Sequence, residues 1–293
     1  LAFGAMIGWG WVVLSGEWIQ TAGTLGAILA FVIGGVMVLF VGQAYAELTS
    51  AMPKCGGEQV FSYRALGRNA SFICTWAIIL GYISVIAFET VALPTVLQYL
   101  FPNYVKGYMY TIAGFDVYAT WVIVGIVSSI VITIINYIGV KTAAFLQGLC
   151  TVLITLVGLA LISGSFVNGS TSNIQPLFND GVGGLMAVAV MTPFMYVGFD
   201  VIPQAAEEMN ISFKKIGQIL ILSVIMAVIW YAMIILGVSL AMDHAEIQGS
   251  ALVTADAMAK VYNNSSIASK ILILGGIAGI ITSWNSFYVG GSR

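Results

Sequence analysis

The stretch ILILSVIMAVIWYAMIILGVSLAM, residues 219–242, carries no charged side chain. A bilayer's hydrocarbon core, about 30 Å thick, is crossed by about 20 apolar residues of helix. This run meets that length. Others of the same character lie at about 1–16, 22–46, 70–100, 117–139, 142–163, 184–205 and 269–289, and the uncharged run sits within 216–242. Of the 293 residues, 60% are hydrophobic and 8% charged, against about 25% charged in soluble domains. No soluble fold of this size hides so much apolar surface, so lipid is the solvent most of the chain requires. A membrane β-barrel would show alternating segments of about ten residues. These runs are longer and do not alternate, so the expected class is an all-α polytopic membrane protein with eight crossings.

The same composition excludes other classes. A soluble enzyme does not fit, and ten basic residues against twelve acidic ones leave no nucleic-acid surface. Cys55, Cys74 and Cys150 have no CxxC spacing and no neighbouring histidine, so they read as apolar thiols, with no metal, disulfide framework or cofactor expected. His244 reads as solvated in an outer loop, and no HExxH or clustered carboxylate pattern suggests a membrane enzyme. The chain begins at Leu1 inside an apolar run and its last residues, YVGGSR, close another, so it reads as a fragment without a cleavable signal peptide.

Loop charge orients the spans. With the N-terminal end cytoplasmic, Lys54, Arg64, Arg68, Lys141, Lys214, Lys215 and Arg293 fall inside, and Lys106, Lys260 and Lys270 outside. That bias follows the positive-inside rule. It places 53–68 inside and the polar stretches 164–183 and 243–268 outside.

Two spans are flawed. In GAMIGWGWVVLSGEW (4–18), Gly4, Gly8 and Gly10 interrupt the first run; each costs a helix interior about 1 kcal/mol relative to Ala. In MTPFMYVGFDVIPQAAEE (191–208), Pro193 and Pro203 flank Gly198 and Asp200 in the sixth; an interior proline costs about 3 kcal/mol. Taken singly, Gly4-x-x-x-Gly8 serves helix packing and a proline makes a kink. Paired in spans one and six, which run in opposite directions, they point to a secondary transporter built from inverted repeats. A broken helix there offers N–H groups to an anion and carbonyls to a cation.

Four motifs in order carry a family resemblance: IGWGW (7–11), YAELTSAMPKCGGEQVFSYRALG (45–67), NYIGVK (136–141) and FMYVGFDVIPQAAEEMN (194–210). Together they resemble the amino acid–polyamine–organocation superfamily of permeases, amino acid permease type. The resemblance implies a LeuT-like five-plus-five inverted repeat, usually within twelve helices. Here one transmembrane permease domain would span 1–293, with the first repeat over 1–163 and helices six to eight of an incomplete second repeat over 184–293. It also implies a substrate site. Ile7, Gly8, Trp9 and Gly10 would form its first half, with amides around Gly8 to Gly10 receiving a carboxylate. Phe194, Met195, Tyr196 and Gly198 would form the second half, with carbonyls near Phe194 to Val197 receiving the ammonium and Phe194 standing at an aromatic gate. Tyr82 and Ile86 would form the opposite wall. Some members carry a lysine in helix five that couples proton movement; by count from GVK, Ile154 stands there, so that device is absent.

An ionisable residue within a span is a functional candidate, because burying its charge costs about 2.5–3.5 kcal/mol on insertion scales. Glu89 in helix three and Asp200 after the second break are the coupling candidates; each also reads as a hydrogen-bonding partner for an exposed half-helix. Glu17 sits at an outer helix end, and Glu47, Glu207 and Glu208 at the inner interface. For sodium, Thr282 and Ser283 of TSWNS offer hydroxyls to an oxygen-only site, against ordinary back-bonding to their own helix. The expected function is secondary active transport of an amino acid or related amine across the cell membrane by alternating access, as symporter or antiporter, proton-coupled or by exchange. Sodium symport, a channel and a non-transporting receptor or scaffold are the alternatives. The partners are thus a small-molecule substrate, the bilayer, and a proton or sodium ion.

Overall fold

The structure is a computed structural model that describes residues 2–208 and 213–292. Arg293 and the side chains of Glu208 and Lys214 lie outside the described residues. In chain order the helices are α1 (Ala2–Met6), α2 (Gly10–Val13), α3 (Ser15–Ala22), α4 (Thr24–Ala51), α5 (Glu58–Leu66), α6 (Arg68–Leu100), α7 (Ala119–Ile138) and α8 (Val140–Asn168). They continue with α9 (Gly181–Met195), α10 (Val201–Gln204), α11 (Phe213–Ala241), α12 (His244–Gly249), α13 (Val253–Val261) and α14 (Ser266–Gly291). A hairpin of β1 (Tyr108–Ile112) and β2 (Phe115–Tyr118) joins α6 to α7.

Among the described residues, six helices, α4, α6, α7, α8, α11 and α14, are long and apolar enough to cross a membrane. The expected runs at 1–16 and 184–205 are not continuous helices. The first is divided into α1, α2 and α3, reaching Ala22. The second is α9, a turn through residues 196–200, and the short α10. Both departures fall on the residues whose helix cost was evident from sequence.

Packing brings the divided runs together at the centre. Gly198 has φ +117°, and a Cβ there would lie 2.6 Å from the Ala5 Cβ and 3.1 Å from the Ala5 carbonyl carbon. Gly279 of α14 approaches the first break equally closely; its Cβ would lie 2.6 Å from the Gly8 oxygen. An aromatic cluster of Trp18, Phe31, Tyr196 and Tyr231 ties α3, α4 and α11 around the second break. Side-chain amides hold α7, α8 and α14 together: Nδ2 of the half-buried Asn136 donates to Asn285 Oδ1 at 2.9 Å, and Asn285 Nδ2 to Gln147 Oε1 at 2.8 Å. In contrast, Phe72, Trp76, Leu80 and Ile83 of α6 are exposed, an apolar face suited to lipid.

The stretch 243–268 is more than the polar outer loop expected from its composition. Its apolar residues are spaced along α12 and α13, burying Ile247, Val253, Ala257, Met258 and Val261. The Thr254 hydroxyl donates to the Val12 carbonyl at 3.0 Å, closing α13 over α2.

Gly198→Ala would force a side chain into a positive-φ position already filled by Ala5. We expect a loss of about 1–3 kcal/mol, seen as a lower melting temperature of the purified protein. Gly148→Ala, in a helix with open space around it, is expected to leave stability unchanged or raise it by up to about 1 kcal/mol.

Candidate functional site

The first break follows from its own backbone. Ile7 to Trp9 leave the helix between α1 and α2, and among the described residues no backbone carbonyl accepts from the amides of Gly8, Trp9 or Gly10. At the second break, the carbonyls of Thr192, Pro193 and Phe194 accept from Tyr196 and Val197, whereas no backbone amide among the described residues reaches the carbonyls of Tyr196 or Val197. In a low-dielectric interior an unmet amide or carbonyl costs about 1–3 kcal/mol. The two interruptions therefore leave opposite polarities unmet, donors on one and acceptors on the other.

Between them lies a cavity of about 60 Å³ bordered by Gly8, Trp9 and Gly10, by Phe194 and Met195, and by Glu89. That is room for several water-sized groups. Val85, Phe88 and Phe287 add apolar walls, and Tyr231 and Ser283 add hydroxyls. Glu89 is 3% exposed. A Cβ on Gly8 would lie 2.7 Å from its Oε1, so glycine at position 8 is what lets the carboxyl approach the break. The Ser283 hydroxyl hydrogen-bonds this carboxyl, while Oε2 is buried without a partner.

Other expected site residues fall outside this cavity. Ile7 is wholly buried in the core, and Ile86 packs against it. Tyr196 is wholly buried and donates to the Phe31 carbonyl at 2.8 Å. Gly198 supplies the contact with Ala5. Tyr82 donates to Asp200 Oδ2 at 2.6 Å, and Asp200 Oδ1 accepts from the Gly198 amide at 3.1 Å. That pair borders a neighbouring groove with Val85, Phe88 and Phe194. Glu17 is exposed in the first turn of α3. The Thr282 hydroxyl donates to the Gly279 carbonyl at 2.9 Å, the back-bonding its sequence allowed.

Tyr231 was not among the expected residues. Its hydroxyl lies 2.8 Å from the Met6 carbonyl and 3.3 Å from the Met195 carbonyl, so one group on α11 serves both interrupted runs. A signal was present: Trp230 and Tyr231 sit in the middle of an uncharged span, whereas membrane aromatics concentrate at its ends.

Tyr231→Phe would leave two buried carbonyls at helix ends without their donor. We expect a loss of about 1–3 kcal/mol, read by thermal unfolding. Tyr196→Phe should cost less, about 0.5–1.5 kcal/mol, because Phe31 lies within α4, whose ladder already serves its carbonyl.

The chain matches the amino acid permease family over residues 1–293. The branched-chain amino acid permease BcaP of Bacillus subtilis is 30% identical over 246 residues, 79% of this chain and 50% of that protein. Cationic amino acid transporter 5 of Arabidopsis thaliana is 26% identical over 253 residues, 85% of this chain and 44% of that protein. The aspartate-proton symporter of Bacillus subtilis is 26% identical over 241 residues, 80% of this chain and 45% of that protein. The chain spans about half the length of these curated relatives. The match runs through both interruptions and all six long helices, and this multi-span membrane protein belongs to the amino acid permease family.

Proposed function

We propose that the chain forms the substrate-handling part of a secondary active transporter that moves an amino acid or related amine by alternating access, coupled to protons or to exchange. The observation that carries this reading is the meeting of the two interrupted runs at one cavity, donors on one side and carbonyls on the other. The amides of Gly8, Trp9 and Gly10 would take the substrate carboxylate. The carbonyls of Tyr196 and Val197, near the cavity walls of Phe194 and Met195, would take its ammonium. Glu89 and Asp200 would carry the coupling charge. The divided runs would complete eight crossings, and the five-plus-five repeat would relate one break to the other. The direction of the helices gathers Lys54, Arg64, Arg68 and Lys215 at one end, which favours that end as cytoplasmic, in the cell membrane.

The relatives' names span branched-chain, cationic and aspartate substrates. What such substrates share is the α-amino and α-carboxyl groups, the part the breaks would recognise. Apart from Glu89, Tyr231 and Ser283, the cavity side chains are apolar, which suits a neutral amino acid with an apolar side chain. Ser283 is engaged with Glu89, so no observation favours the sodium reading.

Proteoliposomes containing the full-length protein test the reading. With proton and sodium gradients varied separately, saturable uptake of neutral amino acids that responds to the proton gradient or to internal substrate is expected. Absence of uptake or competition by any amino acid or amine would refute it. Glu89→Gln should flatten the pH dependence of uptake; an unchanged pH profile in a transporting variant would remove Glu89 as the proton carrier.

A further inference from the structure

Below the second break, α5 is latched onto α10. Gly57 has φ +36°, and a Cβ there would lie 3.1 Å from the Pro203 Cβ, so the first turn of α5 rests on α10. The Gln204 amide donates to Glu58 Oε2. Both side chains are buried, Glu58 6% exposed and Gln204 5%. Glu58 Oε1 is buried without a hydrogen-bond partner. The groups facing Glu58 are Tyr45 from α4, Tyr82 from α6, and Asp200 before α10. None is a base. The single ion pair among the described residues, Lys260 with Glu246 at 2.6 Å, joins α13 to α12, far along the chain from this cluster.

Two buried carboxylates thus sit beside the second break, with no salt-bridging cation for either among the described residues. Two like charges buried together do not both ionise. Asp200 accepts from Tyr82 and from the Gly198 amide, while Glu58 accepts from the Gln204 amide and the Tyr45 hydroxyl, both neutral, and its Oε1 is buried without a close partner. Of the two, Glu58 is the one left to take a proton. Its place at the start of α5 favours a charge by only about 0.3–1 kcal/mol, against several kcal/mol for burying an ion. We infer that Glu58 is a proton-binding site at the inner gate: it holds a proton while α5 is latched on α10, and releases it to water when the two separate. The inference rests on the transport reading and adds a proton site distinct from Glu89. Burial, with the Asp200 carboxylate nearby, pushes the Glu58 pKa from 4.5 up to about 7.

The sign follows from linkage. In the latched form Glu58 keeps its proton up to about pH 7, and in the open, hydrated form only to about 4.5. The latched form is therefore most favoured below pH 4.5 and loses ground as pH rises to about 7, by up to tenfold in the latched-to-open ratio per pH unit; above pH 7 the ratio levels off.

The test uses the full-length protein in nanodiscs with spin labels at Arg64 and Glu207, both exposed on either side of the latch. Distance distributions from pH 4.5 to 8 should shift from latched to open in the wild type. Glu58→Gln should stay latched at every pH. A flat wild-type response, or the same titration in Glu58→Gln, overturns the inference. Should Glu58→Gln fail to fold, Glu58→Asp must move the midpoint, and an unchanged midpoint overturns it equally. Uptake measured on the same preparations separates the two ideas: transport without a Glu58-dependent gate sinks this inference alone, and a titrating gate without amine transport sinks the reading beneath it.

Discussion

One hydroxyl does for this fold what a continuous helix ladder would otherwise do. The phenol of Tyr231 reaches the carbonyls of Met6 and Met195, the last residues of α1 and α9 before each break. In a lipid-facing fold, backbone polar groups have no water to fall back on, so a broken helix persists only where other parts of the protein satisfy it. Tyr231 on α11 takes one carbonyl from each broken run, and Gly198 lets the runs touch. The amides of Gly8, Trp9 and Gly10 and the carbonyls of Tyr196 and Val197 then remain without a backbone partner among the described residues.

That arrangement explains why the surrounding helices carry small residues where they do. Gly279 admits the carbonyl of Gly8, and Gly8 in turn admits the carboxyl of Glu89. A side chain at either position would fill the space that the exposed backbone needs. The two divided runs are tied to their neighbours by different chemistry. On one side Thr254 of α13 bonds the Val12 carbonyl, a contact insensitive to pH. On the other, Glu58 and Gln204 bind α5 to α10, a contact whose strength depends on a proton. Under the transport reading proposed above, the asymmetry would make one of the two contacts respond to acidity.

Much of this was legible in the sequence. The six long helices are plain in their uninterrupted apolar runs, because hydrocarbon thickness leaves little choice of length. The two flaws were legible because glycine and proline carry known helix costs, and the residues nearest them, Gly8, Trp9, Gly10, Phe194 and Met195, do border one cavity. Glu89 stood out as a carboxylate inside a span. Hidden from sequence were the partners that depend on which helix faces which. Tyr196 points into the core and Tyr82 toward Asp200, and neither direction can be read from spacing along an apolar helix whose faces look alike. The packing of α12 and α13 was missed because short apolar patterns in a polar stretch look like loop. Glu58 was not singled out from the sequence, and its burial and its contact with Gln204 become visible only in the structure.

The central claim is that the amides left free at the first break receive a substrate carboxylate. The direct measurement is calorimetric binding to the full-length protein, comparing a neutral amino acid such as leucine with the methyl ester of the same amino acid. The ester keeps the amino group and side chain and replaces the carboxylate by a neutral, slightly larger group; measured at about pH 6, its amine stays protonated like that of the acid. The account predicts at least a tenfold loss of affinity, about 1.4 kcal/mol. Equal binding of acid and ester would contradict it.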